Sequence, residues 1–365
     1  MGVVGLTEMG PLNKPTLVTS FLEFQRIFGG YLGSGYGVYR YLPHAVEGFF
    51  QNGGQRVYIT RVPGQPGVID GDAAVVSDDV LVGDDSQGSV GKTGLRSFED
   101  IYDIKIVAIP NGVSVKVQSA LIDHCASLKN RFAVLDSKMS ATPDEVRRQR
   151  LLFDSEYAAL YYPWVKIRHP VTGEIFSVPP SGHICGVYAR IDSQRGVHKA
   201  PANVVVEGVL GPEIMVGKAE QDVLNPVGVN CLRELGGRGF RVWGARTMSS
   251  DPVWRYVNVR RLLLYLEESI EEGTKWVVFE PNDEKLWARI TQTVFHFLVR
   301  LWEIGALMGS TPEEAFFVQC DRSTMTQDDV DNGRVVIVVG VAPTTPKEFV
   351  VFRVDQWAGN SAAVE

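Results

Sequence analysis

Residues 104–135, IKIVAIPNGVSVKVQSALIDHCASLKNRFAVL, decide the fold class of this chain. Ile104–Ile109 is a mostly apolar run of strand length, which is typical of a strand buried on both faces of a sheet. Val115–Leu128 is long enough for a helix, and Phe132–Leu135 is a second short apolar run. Because two strands joined by a helix usually lie parallel, this order predicts a parallel α/β unit.

The sequence before this unit predicts two helices and a strand. Ser20 and Glu23 have the spacing of a capping box, so a helix is expected over Phe21–Phe28. A second helix is expected over Pro43–Gln51, and a strand over Arg56–Val62, which is rich in Val, Tyr, Ile and Thr. Helix and strand with short connections agree with the α/β class.

The segment Pro63–Ser97 has a different composition, with recurring Gly and Pro. Aspartates precede its first lysine, Lys92, at positions 70, 72, 78, 79, 84 and 85. This acidic, glycine-rich composition predicts an exposed insertion or long loop.

Capping and turn residues predict the positions of helices and strands in the second half of the chain. A helix is expected to open at Thr142 and to continue towards Leu160. Further elements are predicted as follows: a helix from Asn225 to Gly236, a strand over Arg241–Arg246, a helix from Asp251 to Gly273, a strand over Trp276–Phe279, an amphipathic helix from Leu286 to Met308, and a buried strand over Val335–Val339.

Length and charge limit the function classes. At 365 residues the chain exceeds what one hydrophobic core usually covers, so two domains are expected. Lys and Arg number 36 against 43 Asp and Glu, giving a net charge of -7 without a long basic block. This balance argues against a nucleic-acid or anionic-membrane partner. No stretch reads as a membrane span or an export signal.

The sequence contains no strong motif for catalysis, cofactor binding or metal binding. Neither H-E-x-x-H nor G-x-S-x-G occurs, and the four cysteines lack C-x-x-C spacing, so they are interpreted as free thiols. Ser86–Thr93 resembles a phosphate-binding loop whose first Gly is replaced, with Lys92 and Thr93 in the phosphate and magnesium positions. Its acidic context favours a solvated loop. His183 and His198 near Cys185 leave a metal site as a second alternative. The prediction is that no catalytic, cofactor or metal site is present.

Two features suggest contacts with other chains. The Asp251–Glu272 helix carries its cations early and its anions late, opposite to the preference of the helix dipole. These charges form either a solvated face or an interaction face. The residues are Arg255, Arg260, Arg261, Glu267, Glu268, Glu271 and Glu272. After the Pro-containing spacer 343–348, the run Phe349, Val350, Val351, Phe352, Arg353, Val354, Asp355 and Gln356 has the pattern of a strand that pairs within its own sheet or with a neighbouring chain.

Short segments along the whole chain resemble the contractile tail sheath family of phages and phage-tail-like injection systems. They occur in family order, and their combination is specific. The segments are Gly5–Pro15, Tyr161–Val165, Val178–His183, Arg195–Asn203, Tyr256–Arg261, Trp276–Asn282 and Gly340–Pro343.

The resemblance implies a structural protein rather than an enzyme. Subunits of this family stack as six-membered rings around an inner tube, and contraction drives the tube through a target envelope. The implied fold is a two-domain α/β and α+β sheath-like fold with mixed sheets flanked by helices. Residues 1–203 would form an outer domain with the 63–97 insertion, and residues 204–365 an inner assembly domain with a C-terminal arm over 344–365.

The resemblance also implies partners and a location. The partners would be further copies of the chain, an inner tube protein, and baseplate and terminator proteins. The particle would assemble in the bacterial cytoplasm as a virion or tail-like injection particle. The C-terminal strand would add to the sheet of a neighbouring subunit, and the charged helix would contact other subunits or the tube. A sheath-end cap is the alternative within the family, and an α/β nucleotide-binding enzyme is the alternative outside it.

One departure from the family concerns the N-terminus. Relatives usually carry an N-terminal arm ahead of the segment that corresponds to Gly5–Pro15. Gly2–Gly5 is too short for an arm that crosses to another subunit, at about 3.3 Å per extended residue. The expectation is a misassigned or truncated start, or a subunit with a single arm.

Overall fold

The computed structural model describes residues 1–64, 76–86, 88 and 91–348. Its strands are β1 Gly2–Gly5, β2 Thr16–Val18, β3 Val57–Arg61, β4 Ile106–Ala108, β5 Phe132–Asp136, β6 Ala158–Tyr162, β7 Val165–Arg168, β8 Ile175–Val178, β9 Val204–Val205, β10 Gly211–Pro212, β11 Val229–Leu235, β12 Gly239–Trp243, β13 Phe316–Gln319 and β14 Val338–Val341. Its α-helices are α1 Phe21–Phe28, α2 Leu42–Gln51, α3 Asp78–Val82, α4 Val115–Leu128, α5 Pro143–Arg150, α6 Ser181–Arg195, α7 Lys218–Leu224, α8 Val257–Thr274, α9 Glu284–Glu303, α10 Pro312–Ala315 and α11 Gln327–Asp331.

The principal sheet collects strands from the N-terminus to Trp243. Its order within the described residues is β2-β3-β1-β4-β5-β6-β11-β12-β9. The strands from β3 to β11 in this order are parallel, and antiparallel strands lie at both margins. The parallel unit expected from residues 104–135 is confirmed as β4-α4-β5, with Ile106 opposite Phe132. The α/β class with mixed sheets is therefore the observed one.

Helices α2 and α6 pack against each other at unusually short range. A Cβ atom at Gly182 would lie 2.2 Å from the carbonyl oxygen of Ala45, and one at Gly186 would lie 2.4 Å from that of Phe49. Glycine is therefore required at both positions, since any side chain would meet the backbone of α2. This contact forms part of the larger hydrophobic core, whose residues extend along the chain from Met1 to Leu264.

A second, smaller core lies in the C-terminal part of the chain. Leu286, Ile290, Val294, Leu298 and Leu301 form the buried stripe of α9, which confirms an amphipathic helix, although it ends at Glu303 rather than at the predicted Met308. Helix α8 contributes to both cores, because its Leu262 and Leu266 belong to the smaller one and its Leu264 to the larger one. The antiparallel pair β13–β14 packs on the smaller core.

Two predicted helical segments are strands in the structure. The helix that opens at Thr142 ends at Arg150, and residues 158–162 form the buried strand β6 between β5 and β11. The Arg150 guanidinium donates to the carbonyl oxygens of Phe153 and Met248, which holds the chain where it leaves the helix. The predicted helix 225–236 is also wrong, because most of it forms β11. Its Gly236-Gly237 pair lies in the turn between β11 and β12.

Two predicted strands also differ from the observed structure. Residues Lys275–Val277 form a 3-10 turn, so the strand predicted over 276–279 is wrong. The strand predicted over 335–339 corresponds to β14, which begins at Val338 rather than Val335 and is partly exposed instead of buried on both faces. Apolar runs of this length do not by themselves distinguish a strand from a turn or a half-exposed edge.

The predicted insertion is only partly exposed. Of its described residues, Leu81 and Leu95 are buried in the larger core, next to Phe98. These apolar side chains pack the end of the segment against β1 and β3, which the composition did not reveal. The predicted domain boundary at residue 203 stays a prediction.

No helix within the described residues is long and apolar enough to cross a bilayer.

Candidate assembly surface

The strand pair β13–β14 forms a small sheet with open outer edges. Phe316 pairs with Val341 and Gln319 with Val338 in antiparallel register, and no third strand joins them within the described residues. The Phe316 ring packs on Phe295 of α9 at 5.3 Å between centroids. Phe317 and Val338 remain largely exposed. A two-stranded sheet is marginal in water, so this pair depends on α9 and has hydrogen-bonding capacity left at its edges.

The chain beyond β14 is held along its path to residue 348. We call residues 342–348 the arm root, because the predicted arm strand follows them. The Ala342 amide donates to the Ala315 carbonyl at 2.8 Å, and the Thr344 amide to the Ala306 carbonyl at 3.2 Å. The side-chain amide of Asn258, near the start of α8, donates to the Thr344 carbonyl at 3.0 Å. The arm root is therefore tied to the smaller core and to α8.

Glu348 ends the described part of the arm root in an ion pair. Arg246 donates through Nε to Glu348 Oε1 at 3.0 Å and through Nη2 to Oε2, and the Tyr256 hydroxyl lies 3.3 Å from Oε2. Burial disfavours the charged carboxylate, but the hydrogen bonds and charge of Arg246 outweigh it and lower the pKa of Glu348. The side chains of Arg246 and Glu348 are 10% and 15% exposed.

This ion pair was not identified in the sequence. Its two members are 102 residues apart, and neither lies in a motif. Residues 349–356, the predicted inter-subunit strand, lie outside the described residues.

Beside the arm root lies a cleft of about 590 Å³, which we call the arm-root cleft. Trp243, Ala202, Pro226 and Pro346 contribute apolar surface to it. Its other lining residues include Lys218, Arg233, Lys347, Asp222 and Glu348. The cleft adjoins β9, the two-residue strand at one margin of the principal sheet.

The charged residues predicted for an interface divide into buried and exposed groups. Arg260 and Arg261 are only 4% and 6% exposed, so the interface prediction is wrong for these two side chains. Arg260 donates to the Tyr157 hydroxyl at 2.8 Å, and its guanidinium lies 4.5 Å from the centroid of that ring. Arg261 binds Asp192 with two hydrogen bonds and stacks over Tyr188. Both cations hold α8 against the larger core.

The acidic end of α8 lies at the surface. Glu268 pairs with Lys105, and Glu272 pairs with Lys275. Glu267 and Glu271 are exposed, and Arg255 is half-buried ahead of the helix. These five residues stay candidates for contacts with another chain.

The geometry argues against both the phosphate-binding loop at Ser86–Thr93 and the metal site near Cys185. Lys92 donates to Asp100 at 2.7 Å and lies 3.1 Å from Glu99, while the Thr93 hydroxyl accepts from the Asp84 amide. Both side chains are therefore already engaged by protein groups. Among the described residues, no group of three or more His, Cys, Asp or Glu side chains could hold a metal ion.

The histidines and thiols belong to the core rather than to a reactive site. His183 is buried against α2, and burial lowers its pKa to about 4. Burial also raises the pKa of the Cys185 thiol to about 12. All four cysteines are free and buried, as the interpretation as free thiols expected.

The sequence matches two family models in succession. Residues 92–248 match the phage tail sheath protein central domain, and residues 249–356 match the phage tail sheath C-terminal domain. The chain is 27% identical over 217 residues to the tail sheath protein of Escherichia phage P2, covering 57% of this chain and 54% of that protein. The match thus spans about half the length of that curated relative.

Solved structures agree over nearly the whole chain. The anti-feeding prophage helical sheath in its contracted state is 31% identical with a TM-score of 0.76, over 97% of this chain and 92% of that one. The sheath complex of the extracellular contractile injection system PVC, also contracted, is 27% identical with a TM-score of 0.79, over 98% of this chain and 91% of that one.

Proposed function

The chain belongs to the phage tail sheath family, and from this premise we propose that it is a structural subunit of a contractile sheath. In this proposal the subunits stack as six-membered rings around an inner tube, and the sheath contracts to drive the tube through a target envelope. The chain has no enzymatic role. Its partners are further copies of itself, the tube protein, and the baseplate and terminator proteins, with assembly in the bacterial cytoplasm.

The β13–β14 pair and the arm root are the observation that carries the proposal. An open two-stranded sheet gains stability from each further strand, because unpaired backbone groups at its edges then form hydrogen bonds. The strand predicted over 349–356 begins directly after Glu348, which the ion pair with Arg246 holds in place. We therefore propose that this strand leaves its own subunit and pairs with the β13–β14 sheet of a neighbour.

Backbone pairing suits a sheath that changes shape. A strand added to a sheet edge is held by main-chain hydrogen bonds, which resist separation of the two subunits while tolerating rotation between them. The exposed charges at the end of α8, Glu267 and Glu271 among them, suit contacts that are broken and remade, since exposed ion pairs are individually weak. Arg255, Glu268 and Glu272 complete the set proposed for such contacts.

Deletion of the arm strand tests the proposal. The full chain should form hollow tubes in negative-stain electron microscopy, and a variant that lacks residues 349–365 should remain monomeric with an unchanged circular dichroism spectrum. A variant that lacks only residues 357–365 is the matched control, because it keeps the predicted strand, and it should still form tubes.

Each other outcome has a defined meaning. Tubes from the variant without residues 349–365 would refute the inter-subunit strand. Single rings from the full chain, without tubes, would favour a sheath-end cap over a polymerising subunit.

A further inference from the structure

Phe279 is the most exposed large hydrophobic side chain among the described residues. Its relative exposure is 102%, and the neighbouring Val278 is 63% exposed. They belong to the loop 278–283 between the 3-10 turn and α9, which we call the Phe279 loop. An isolated exposed apolar residue is common at a protein surface, but a complete aromatic ring in water next to a second apolar side chain is typical of a contact residue.

The backbone at Phe279 supports this interpretation. Its φ of +70° lies in the left-handed region, which is unfavourable for a bulky residue because Cβ approaches the backbone. Within its own subunit the ring has no packing contact that offsets this strain. The conformation holds the ring outward, where another molecule can bury it.

The surroundings of the Phe279 loop are acidic. Glu271 and Glu272 lie in the last turn of α8, and Glu280 and Asp283 lie in the loop itself, all of them exposed. Of the nearby cations, Lys275 is paired with Glu272, and Arg289 of α9 lies over the Trp276 ring. A partner surface should therefore offer an apolar recess with positive charge at its margin.

The arm-root cleft has these properties. Its apolar walls include Trp243 and Pro346, and its volume of about 590 Å³ leaves room for an aromatic side chain. Lys218, Arg233 and Lys347 supply positive charge. Of the acidic residues in its lining, Glu348 is already paired with Arg246, which leaves Asp222.

Within one subunit the ring and the cleft are far apart. Asn258, in the first turn of α8, contacts Thr344 beside the cleft, whereas Phe279 follows the other end of this 18-residue helix. At 1.5 Å per residue the helix spans about 27 Å. The Phe279 ring therefore cannot reach the cleft of its own chain.

We propose that Phe279 of one subunit inserts into the arm-root cleft of a second copy of this chain. Such a contact joins two different surfaces of the molecule, so it propagates from copy to copy, as in a helical array. The inference rests on the proposed function, because it presupposes that the chain associates with itself. It adds a side-chain contact to the strand exchange.

Disulfide trapping between two singly substituted proteins tests this contact. One protein carries Val278→Cys and the other, tagged to differ in mass, carries Ala202→Cys. Because all four native cysteines are buried, the two introduced thiols are the accessible ones. Mixing under mild oxidation should give the mixed-disulfide heterodimer as the main product. Phe279→Ser added to the Val278→Cys protein should abolish it.

Two controls distinguish a specific Phe279 contact from random collision of exposed thiols and from misfolding of the variant. The Val278→Cys protein mixed with a Val171→Cys protein should give no excess of heterodimer, although Val171 is 77% exposed. Phe279→Ser should not lower the melting temperature of the monomer, because the ring makes no packing contact in it. A lowered melting temperature would show a role within the subunit and overturn the inference.

Electron microscopy of the same mixtures separates this inference from the proposed function. Tubes without the Val278–Ala202 heterodimer would overturn the Phe279 contact and leave the sheath proposal intact. The heterodimer without tubes would support the contact and count against polymerisation. If neither forms, both are refuted.

Discussion

Single residues fix the point from which the arm leaves the subunit. Glu348→Gln keeps the shape of the side chain but leaves the Arg246 guanidinium, 10% exposed, without a counter-charge. We expect the free energy of unfolding to fall by about 1–3 kcal/mol in denaturant titrations. Glu284→Gln is the matched control, since its partner Arg322 and Glu284 itself are more than 70% exposed, and it should change stability by less than about 1 kcal/mol. Equal effects of the two substitutions would contradict the structural role of Glu348.

At the same scale, His44 makes the subunit sensitive to acid. Both of its ring nitrogens are buried without a hydrogen-bond partner, and it stacks on Tyr31 at 4.7 Å and against Phe176. Burial, with the charges of His169, Arg40 and His183, lowers its pKa from 6.5 to about 3. As pH falls below 6.5 the unfolded state binds the proton first, so stability declines between pH 6.5 and 3.

His44→Phe should remove that decline. Since one pKa unit corresponds to about 1.4 kcal/mol, the variant should gain about 2 kcal/mol more at pH 5 than at pH 8, relative to the unsubstituted chain. Unfolding curves at the two pH values measure the difference. A gain that is the same at both values would show that His44 is not the titrating group.

At the scale of elements, the close contact of α2 and α6 carries a prediction. Gly186→Ala improves helix propensity, but its Cβ would lie 2.4 Å from the Phe49 carbonyl oxygen. Since α2 cannot yield without disturbing the core, we expect a loss of about 1–3 kcal/mol. Gly273→Ala, in α8, meets no atom within 4 Å and should instead gain about 0.5–1 kcal/mol. Thermal unfolding of both variants measures the contrast, and a stabilising Gly186→Ala would refute this packing.

At the scale of the whole molecule, α8 couples two hydrophobic cores. Leu298→Ala removes a fully buried side chain of α9 and should cost about 2–5 kcal/mol. Hydrogen exchange should show lost protection first in α9 and β13, while β5 and β6 in the larger core stay protected. Uniform loss of protection in all of these elements would mean that the two cores unfold as one unit.

Local signals in the sequence correctly located the starts of α1 and α5. Ser20 and Thr142 each accept a hydrogen bond from a backbone amide three residues ahead, so the signal and the structure that it forms lie within one turn. The strand-helix-strand order of residues 104–135 was readable for a similar reason, because periodicity and length record which faces are buried. The family resemblance depended on short segments in a fixed order, which are also properties of the sequence alone.

Strand formation, burial and ion pairing that involve residues distant in the sequence could be determined only from the tertiary structure. Residues 158–162 and 229–235 are strands because β5 and β12 lie beside them, although their local pattern allowed a helix. Arg260 and Arg261 have the charge of surface residues and are buried, because Tyr157 and Asp192 offer them partners. The ion pair of Arg246 with Glu348 and the position of the arm-root cleft likewise required the fold. Sequence patterns report a residue's neighbours along the chain, whereas burial and pairing depend on groups that only folding brings together.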